Sequence, residues 1–491
     1  MNRNNFINHL TLAVALVLLA ATAGQIRRWM REKAADTPPS HAVLISESDE
    51  GDAAQTDKKR AEVLVRFRPG TPLTAIRNIA ARFDDRVEDN IENVRGLVAI
   101  EDEDGLDAQT VADEYKQLNE VEYAEPNYEI QLEPKEFSNS GELETGRDSV
   151  MNFSANEFTD AEDATGMMPN DPMFNEQWSL ANTGQRGGKS HADIAALDAW
   201  AKTQGSEKIV VAVLDSGVDY THPDLVENMW HRPANLAAYV DDELGVIDDE
   251  HGFSAVADNR DPMDDNGHGT HCAGIIGANG DNSFGIAGIN WRVQIMPLKF
   301  MNAGGFGTTK QAIESINYVI DRKHAGVNVR IISASWGSTM KSKALEDTIR
   351  KAGEEGILFV AASGNASSDA DKVPHYPAGY NLPNVLSVAA LTRNDELASF
   401  SNYGAKSVHI AAPGVEILST WLNGEFKEAS GTSMATPEVA GVAALVLSVE
   451  PDLSVAELRE RLLKSADPLP SLKGKIATGG RLNAARAVGA E

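Results

Sequence analysis

The sequence predicts an α/β protein: a doubly wound, mostly parallel sheet, preceded by a small α+β module of the ferredoxin-like, split-βαβ kind. Three observations carry this. Beyond Asn170, apolar runs at 209–214, 293–298, 331–333, 357–361 and 385–389 read as strands, several ending in a polar, glycine-rich turn. Uninterrupted apolar runs suit strands covered on both faces, as in parallel sheets. Helical spacing at 311–321 and 343–354 falls between such runs, which completes the alternation of a doubly wound domain. Upstream, residues 62–67 alternate as a strand, and Leu73, Ile76, Ile79, Ala80 and Phe83 follow helical spacing. A strand at 97–100, a helix marked by Val111, Tyr115 and Leu118, and a last strand at 121–130 complete the small module.

Composition narrows the function. A chain of 491 residues with 42% hydrophobic content is ordinary for globular domains. A net charge of −29 argues against nucleic acid or an anionic membrane as a main partner. It fits a soluble protein whose acidic loops hold hard cations. The single cysteine, Cys272, rules out an internal disulfide framework. No internal repeat is present.

The domain plan follows from the same pass. Residues 1–26 read as a signal peptide or membrane anchor: Arg3 precedes an apolar run at 12–21, and Ala21-Thr22-Ala23 offers a small-residue cleavage site. Arg27, Arg28 and Arg31 keep the uncleaved anchor open. The expected location is secreted or periplasmic, with anchoring by this segment as the alternative. Residues 27–59 read as a disordered linker, 60–133 as the small module, 134–168 as an acidic linker and 169–491 as the main domain. From 136 to 168 there are eight acidic residues against one basic, and no hydrophobic period.

Ligands of an open α/β sheet bind at the carboxyl ends of its strands, so the chemistry should lie in the turns. The first apolar run ends in Asp215-Ser216-Gly217. A second turn, Asp265-Asn266-Gly267-His268-Gly269-Thr270-His271, opens a run of small apolar residues. A third, Ala361-Ala362-Ser363-Gly364-Asn365, ends a strand with a carboxamide. The fourth is Gly431-Thr432-Ser433-Met434-Ala435-Thr436-Pro437, which puts Ser433 in the first turn of an apolar helix, where free N–H groups favour negative charge. Taken singly, each has a bland reading as a cap or turn residue. Taken together, Asp215, His268 and Ser433 are the parts of a nucleophilic triad, with Asn365 and the Ser433 N–H as oxyanion donors. A zinc hydrolase using His268 and His271 is the rival chemistry; the intervening glycine and the lack of a neighbouring glutamate base weaken it.

The order Asp, His, Ser within these motifs resembles the subtilases, the subtilisin-like serine proteases, from about residue 170 to 488. The resemblance implies a subtilisin-like fold and a serine endopeptidase that acts on polypeptide substrates through an acyl-enzyme. It further implies a self-processing zymogen and a monomer, with no nucleic-acid partner and a membrane partner only if the anchor stays. A catalytically silent, peptide-binding scaffold of the same family is the alternative. By resemblance, Ser335, Trp336 and Gly337 form one wall of the primary specificity pocket. Ala362, Ser363 and Gly364 form the other, and Gly305, Phe306 and Gly307 form the edge that pairs with an extended substrate. Trp336 replaces a common leucine, His375 lies near the expected pocket floor, and Glu438 stands where a histidine is usual. Cys272, as in the thermitase and proteinase K branches, is expected beneath His268, and Met434 beside the active site. Structural calcium is implied at Asp171, Asp224 and Asn282, with loop carbonyls of Phe284 and Ile286. Asp258, Asn259 and Asp261 offer a weaker second site, because Ser254 and Ala257 replace its acids. The module at 60–133, through Val121-Glu122-Tyr123-Ala124-Glu125-Pro126-Asn127-Tyr128, resembles the propeptide that serves as intramolecular inhibitor and folding chaperone.

Overall fold

The computed structural model describes residues 60–132, 167–241, 245–256 and 260–490. The expected targeting segment, the first linker and nearly all of the acidic linker lie outside the described residues.

The small module contains β1 (Glu62–Phe67), α1 (Leu73–Ala80), β2 (Asp85–Asn90), β3 (Leu97–Asp102), α2 (Ala108–Tyr115) and β4 (Val121–Pro126). Its antiparallel sheet runs β2-β3-β1-β4. Strand alternation gives it two apolar faces. Val63, Val65 and Phe67 pack with Ile76, Ile79, Val111 and Tyr115 of the helices. On the opposite face Leu64, Leu97 and Ala99 join a cluster that contains Ile313, Ile316, Ala344 and Leu345 of the main domain. The expected last strand at 121–130 is broken: β4 stays in the module, while β5 (Glu129–Gln131) leaves it. β2, with the sequence DRVEDN, carries too little apolar pattern to be read from sequence.

The main sheet is built on β6 (Gly205–Asp215). A hairpin of β7 (Tyr239–Asp241) and β8 (Gly245–Ile247), then β9 (Phe253–Ser254), lead to α3 (His268–Gly277) and β10 (Arg292–Lys299). β11 (Phe306–Thr308), α4 (Thr309–His324), β12 (Val329–Ala334), α5 (Lys343–Glu354), β13 (Leu358–Ala362), β14 (Val385–Leu391) and β15 (Ile410–Pro413) follow. After the hairpin of β16 (Ile417–Thr420) and β17 (Phe426–Ala429) come α6 (Thr432–Val449), α7 (Val455–Lys464), β18 (Asp467–Pro468) and β19 (Gly480–Arg481). Nine strands run in the order β18-β19-β15-β14-β13-β12-β6-β10-β9, parallel except for the β18–β19 edge pair. Because β10 and β12 flank β6 on opposite sides, the winding reverses there, and the crevice beyond Asp215 is the place for a site. The doubly wound expectation therefore holds, including each of the five apolar runs.

α6 crosses this sheet as a helix buried on every side, which its alanine, valine and leucine sequence permits. One residue departs from that rule. Glu438 is fully buried within α6, and the Ser179 side chain favours its ionised form less than burial opposes it. Burial pushes its carboxyl from 4.5 up to about 8, so the folded chain keeps a proton there that the unfolded chain has lost. Stability from this group is complete below the unfolded value of 4.5 and is lost as pH rises through about 8. Glu438→Gln, compared in a Ser433→Ala background by scanning calorimetry, should melt above its parent at pH 8 to 9. The gap should close toward pH 5; a gap independent of pH would refute the assignment.

Candidate active site

Asp215 and His268 meet as the two chain ends demand. Asp215 is the last residue of β6, and His268 is the first of α3. Their side chains are almost fully buried, and His268 Nδ1 lies 2.7 Å from Asp215 Oδ1, which also accepts from Ser216 N at 2.8 Å. Two glycines make the approach possible. Gly267 adopts φ +95, and a β-carbon on Gly269 would lie 2.0 Å from the Gly217 carbonyl oxygen.

The turn before His268 is held by Asp264, which the sequence reading missed. Its Oδ1 accepts from Ser216 Oγ (2.9 Å), Asn266 N (2.9 Å) and Gly267 N (3.0 Å), and its Oδ2 from Thr270 N (2.9 Å) and Thr270 Oγ1 (2.6 Å). One carboxylate thus ties the Asp215 turn to the start of α3. Its place four residues before His268, with Asn266-Gly267 two residues on, was the available signal, since Asp commonly bonds backbone N–H groups two residues on. Lys299 is a second omission: buried at the end of β10, it donates Nζ to Ser216 O (2.7 Å) and Asp265 Oδ1 (2.6 Å).

Ser433 is the second residue of α6, as expected. Pro437 has no N–H to give to the carbonyl four residues back, which belongs to Ser433. Other segments supply the donors: Ser335 Oγ at 2.7 Å and Cys272 Sγ at 3.6 Å. Cys272 therefore sits where expected, grouped with Asp215 and His268. Ser433 Oγ donates to Ser335 O at 3.1 Å. Asn365 turns its oxygen inward, accepting from Thr432 N (2.8 Å) and Thr432 Oγ1 (2.9 Å). Its Nδ2 thereby faces the same space as the Ser433 N–H: a β-carbon on Gly431 would lie 3.6 Å from the one and 3.5 Å from the other. That convergence suits a developing oxyanion. His271 faces elsewhere, with Nε2 against the carbonyls of Ile417 (3.1 Å) and Lys427 (2.9 Å), so the His268–His271 zinc arrangement is not formed.

The expected substrate edge is occupied by the chain itself. β5 pairs antiparallel with β11, Gln131 opposite Phe306 and Ile130 opposite Gly307, and Leu132 N donates to Gly305 O at 2.9 Å. The two expected walls flank Ser433, one at Ser335–Gly337 and the other at Ala362–Gly364, whose Gly364 N donates to Thr432 Oγ1. Between them stands His375, buried, its imidazole pushed down to about 4 by that burial. Trp336 turns away from this slot, donating Nε1 to Leu214 O (2.9 Å) and packing on Phe300.

The small module grips the main domain through two helix starts. Glu125 accepts from Ser342 Oγ (2.6 Å), Lys343 N (2.8 Å) and Ala344 N (3.0 Å) at the start of α5. Asn127 Oδ1 accepts from Lys310 N (2.8 Å) at the start of α4.

The residues proposed for calcium also converge. Asp171 accepts from Asp281 N (2.7 Å) and Asn282 N (3.4 Å), and Asp224 from Asn282 Nδ2 (2.9 Å) and Ile286 N (2.9 Å). Both carboxylates are buried; burial raises the pKa of each, Asp224 to about 6, and their mutual repulsion adds to it for Asp224. Two buried acids facing one loop, each harder to ionise than usual, form a donor set that fits a hard cation. Phe284 donates its N–H to Asn282 Oδ1 (2.8 Å) within that loop. Of the weaker set, Asp258 and Asn259 lie outside the described residues, and Asp261 accepts from Tyr220 OH (3.2 Å) and Met263 N (3.0 Å).

Comparison with known proteins agrees with this geometry. The model of the subtilase family matches residues 206–490, and that of the fervidolysin N-terminal prodomain matches 47–127. Thermitase of Thermoactinomyces vulgaris is 36% identical, over 65% of this chain and 99% of its own. Subtilisin-like protease 1 of Plasmodium berghei (strain Anka) is 34% identical, over 65% of this chain and 54% of its own. The chain spans only 18% of subtilisin-like protease 2 of Plasmodium falciparum (isolate 3D7). Among solved structures, one titled as proteases from Pseudoalteromonas arctica PAMC 21717 aligns with a TM-score of 0.54 and 26% identity, over 66% of this chain and 99% of that one. With a family model spanning most of the chain, and an Asp–His pair, a helix-start serine and a facing carboxamide at its sheet crevice, the chain belongs to the subtilase family, and a fervidolysin-like prodomain precedes the peptidase domain.

Proposed function

We propose that the chain is an exported serine endopeptidase made as a zymogen, with Asp215, His268 and Ser433 as its triad. The observation that carries this is the pair of N–H donors, Ser433 N and Asn365 Nδ2, converging beside a serine whose neighbours His268 and Asp215 are already hydrogen-bonded. As a peptide bond enters, the Ser433 hydroxyl turns from the Ser335 carbonyl to His268 and attacks the carbonyl carbon. His268 takes the hydroxyl proton, Asp215 holds the Nδ1 proton, and the oxyanion gathers the two donors. His268 then returns its proton to the leaving amine. Water, activated by the same imidazole, releases the acid and restores Ser433.

The prodomain is the inhibitor in this reading. β5 occupies the edge a substrate would pair with, and Glu125 and Asn127 complete helix starts that otherwise expose N–H groups. Calcium is the proposed structural cation, held by Asp171, Asp224 and the 282–286 loop, where it would neutralise two buried carboxylates.

Three outcomes test these readings. The processed enzyme should react with a fluorophosphonate probe, and Ser433→Ala should abolish labelling. Asn365→Ala should keep the label but lose about 10²–10³-fold in turnover, the scale known for the same kind of donor in subtilisin. Unlabelled, correctly processed protein would defeat the proposal. Glu125→Ala removes three bonds at α5. After limited cleavage of the linker, its prodomain should separate from the peptidase on gel filtration more readily than the parent's; unchanged co-elution would exclude a docking role. Calcium should raise the melting temperature of the Ser433→Ala chain, and Asp224→Asn should lose that rise. Equal shifts in both would place the cation elsewhere.

A further inference from the structure

We infer that His231, Glu250 and His251 form a metal site of their own, separate from the triad, which takes a late first-row divalent ion such as zinc. None of the three takes part in the proposed proteolysis, so the site stands or falls apart from that reading. Each side chain offers one ligand atom, and the three atoms lie within 4.8 Å of one another. Ligands of one tetrahedral zinc stand about 3.4 Å apart, given metal–ligand bonds of about 2.0–2.2 Å. Small side-chain rotations close that gap, and His231 and Glu250 are exposed, with room to make them. Imidazole nitrogens and a carboxylate oxygen are donors that zinc, copper and nickel accept. Two imidazoles and one carboxylate are a recognised zinc set, with the fourth position left to water. Calcium, which takes six to eight oxygens, does not suit it.

The backbone places these ligands before any ion arrives. Both segments that carry them are tied to β10. Just before His231, Trp230 N donates to Ile295 O at 2.7 Å, and Met229 bridges to Ile295. Just after His251, β9 pairs Phe253 with Leu298 and Ser254 with Lys299. Gly252 lies so close to β10 that a β-carbon there would stand 2.2 Å from the Pro297 carbonyl oxygen. The segments are also joined to each other, because Arg232 N donates to Glu250 O at 2.8 Å. One ligand thus sits on the first segment and two adjacent ligands on the second. A site carried by anchored backbone gives up little freedom when it closes on an ion.

His251 is oriented as well as placed. Its ring stacks on Tyr220, with centroids 4.0 Å apart and planes 10° from parallel, and His231 meets it at 4.8 Å and 68°. Tyr220 is itself held by its hydroxyl, which donates to Asp261 Oδ1 at 3.2 Å. One nitrogen of His251, Nδ1, is shut off from solvent and completes no hydrogen bond among the described residues. A buried polar atom in that state calls for a partner, and a metal ion is one that an imidazole lone pair can take. Packing on Tyr220 accounts for one face of the ring, but not for the carboxylate and second imidazole brought within reach of it. A bound ion would link the 229–232 segment to the 250–254 segment. Through Tyr220 it would also brace the chain that leaves Asp215.

The test uses the full Ser433→Ala chain, which keeps the proposed nucleophile out of play, titrated with zinc chloride near neutral pH in excess calcium. Calorimetric titration should find a zinc equivalent that calcium does not displace, and zinc should raise the melting temperature. In His231→Ala and in Glu250→Gln, both at exposed positions, zinc affinity should fall by about 10-fold or more. Losing even a residue that only supports a metal ligand costs about 10–100-fold. Without zinc both variants should melt with their parent, which separates loss of a ligand from loss of the fold. Zinc held instead by Cys272 beside His268 would persist in both variants and would count against the site. Absence of zinc binding in the parent, binding that either variant leaves unchanged, or displacement of zinc by calcium would overturn the inference. The parent titration needs no variant, so a folding defect in one of them does not blunt it.

Discussion

Thr432 N and Oγ1 both donate to Asn365 Oδ1, while Ser335 Oγ and Cys272 Sγ both point at Ser433 O. These bonds exist because the first turn of α6 cannot satisfy itself. A helix start leaves N–H groups without intrahelical acceptors, and Pro437 leaves a carbonyl without its donor. These vacancies are filled from other elements. β12 sends Ser335, β13 sends Asn365, and α3 sends Cys272, so three segments are pinned to one turn. The serine is thereby placed with its neighbours already oriented, which is the preorganisation that oxyanion stabilisation requires. Its own N–H opens onto the same space as the Asn365 Nδ2 donor. The N-cap itself is Gly431, so Ser433, the proposed nucleophile, sits inside the first turn and does not cap it.

The prodomain exploits the same deficiency at two other helices. Glu125 and Asn127 supply acceptors to the starts of α5 and α4, where a single charge near a helix dipole contributes about 0.3–1 kcal/mol and a side-chain cap about 1 kcal/mol. Neither contribution alone would hold a domain. The apolar face of Leu64, Leu97 and Ala99 adds area, and β5 adds backbone pairing that any extended chain could replace. The division matters for the proposed inhibitor role: the caps and the apolar face belong only to the prodomain, whereas the β5 contact is one that a substrate pairing with β11 would have to displace.

How much of this could be read from the sequence follows from the physics of each element. The five apolar runs became the five central strands because burial on both faces leaves no polar alternation to confuse the reading. Asp215, His268, Asn365 and Ser433 were legible because each terminates or begins an element, where a polar residue needs a reason. β2 was not, since an edge strand of charged residues satisfies its pattern through pairing with β3 alone. The break between β4 and β5 was invisible as well: both halves have strand propensity, and only the second sheet partner, β11, distinguishes them. Asp264 could have been suspected from its local turn, but its bond to Ser216, like those of Lys299, joins residues distant in sequence and could not be inferred without the fold.

Acidic residues show the same dependence on context, in a chain of net charge −29. Asp264 and Glu125 are buried among N–H and O–H donors, which replace the water they lose. Asp171 and Asp224 have donors too, but Asp171 adds to the cost of ionising Asp224, a cost that the proposed cation would offset. For Glu438, Ser179 favours the ionised form less than burial opposes it, and the carboxyl keeps its proton instead. Burial alone therefore does not mark a functional acid. What surrounds the carboxyl decides whether it positions a turn, holds an ion or merely withholds stability at alkaline pH. By that measure Glu438 is the acid of this group whose surroundings least offset its burial, and the helix that carries Ser433, the proposed nucleophile, is the element that bears its cost.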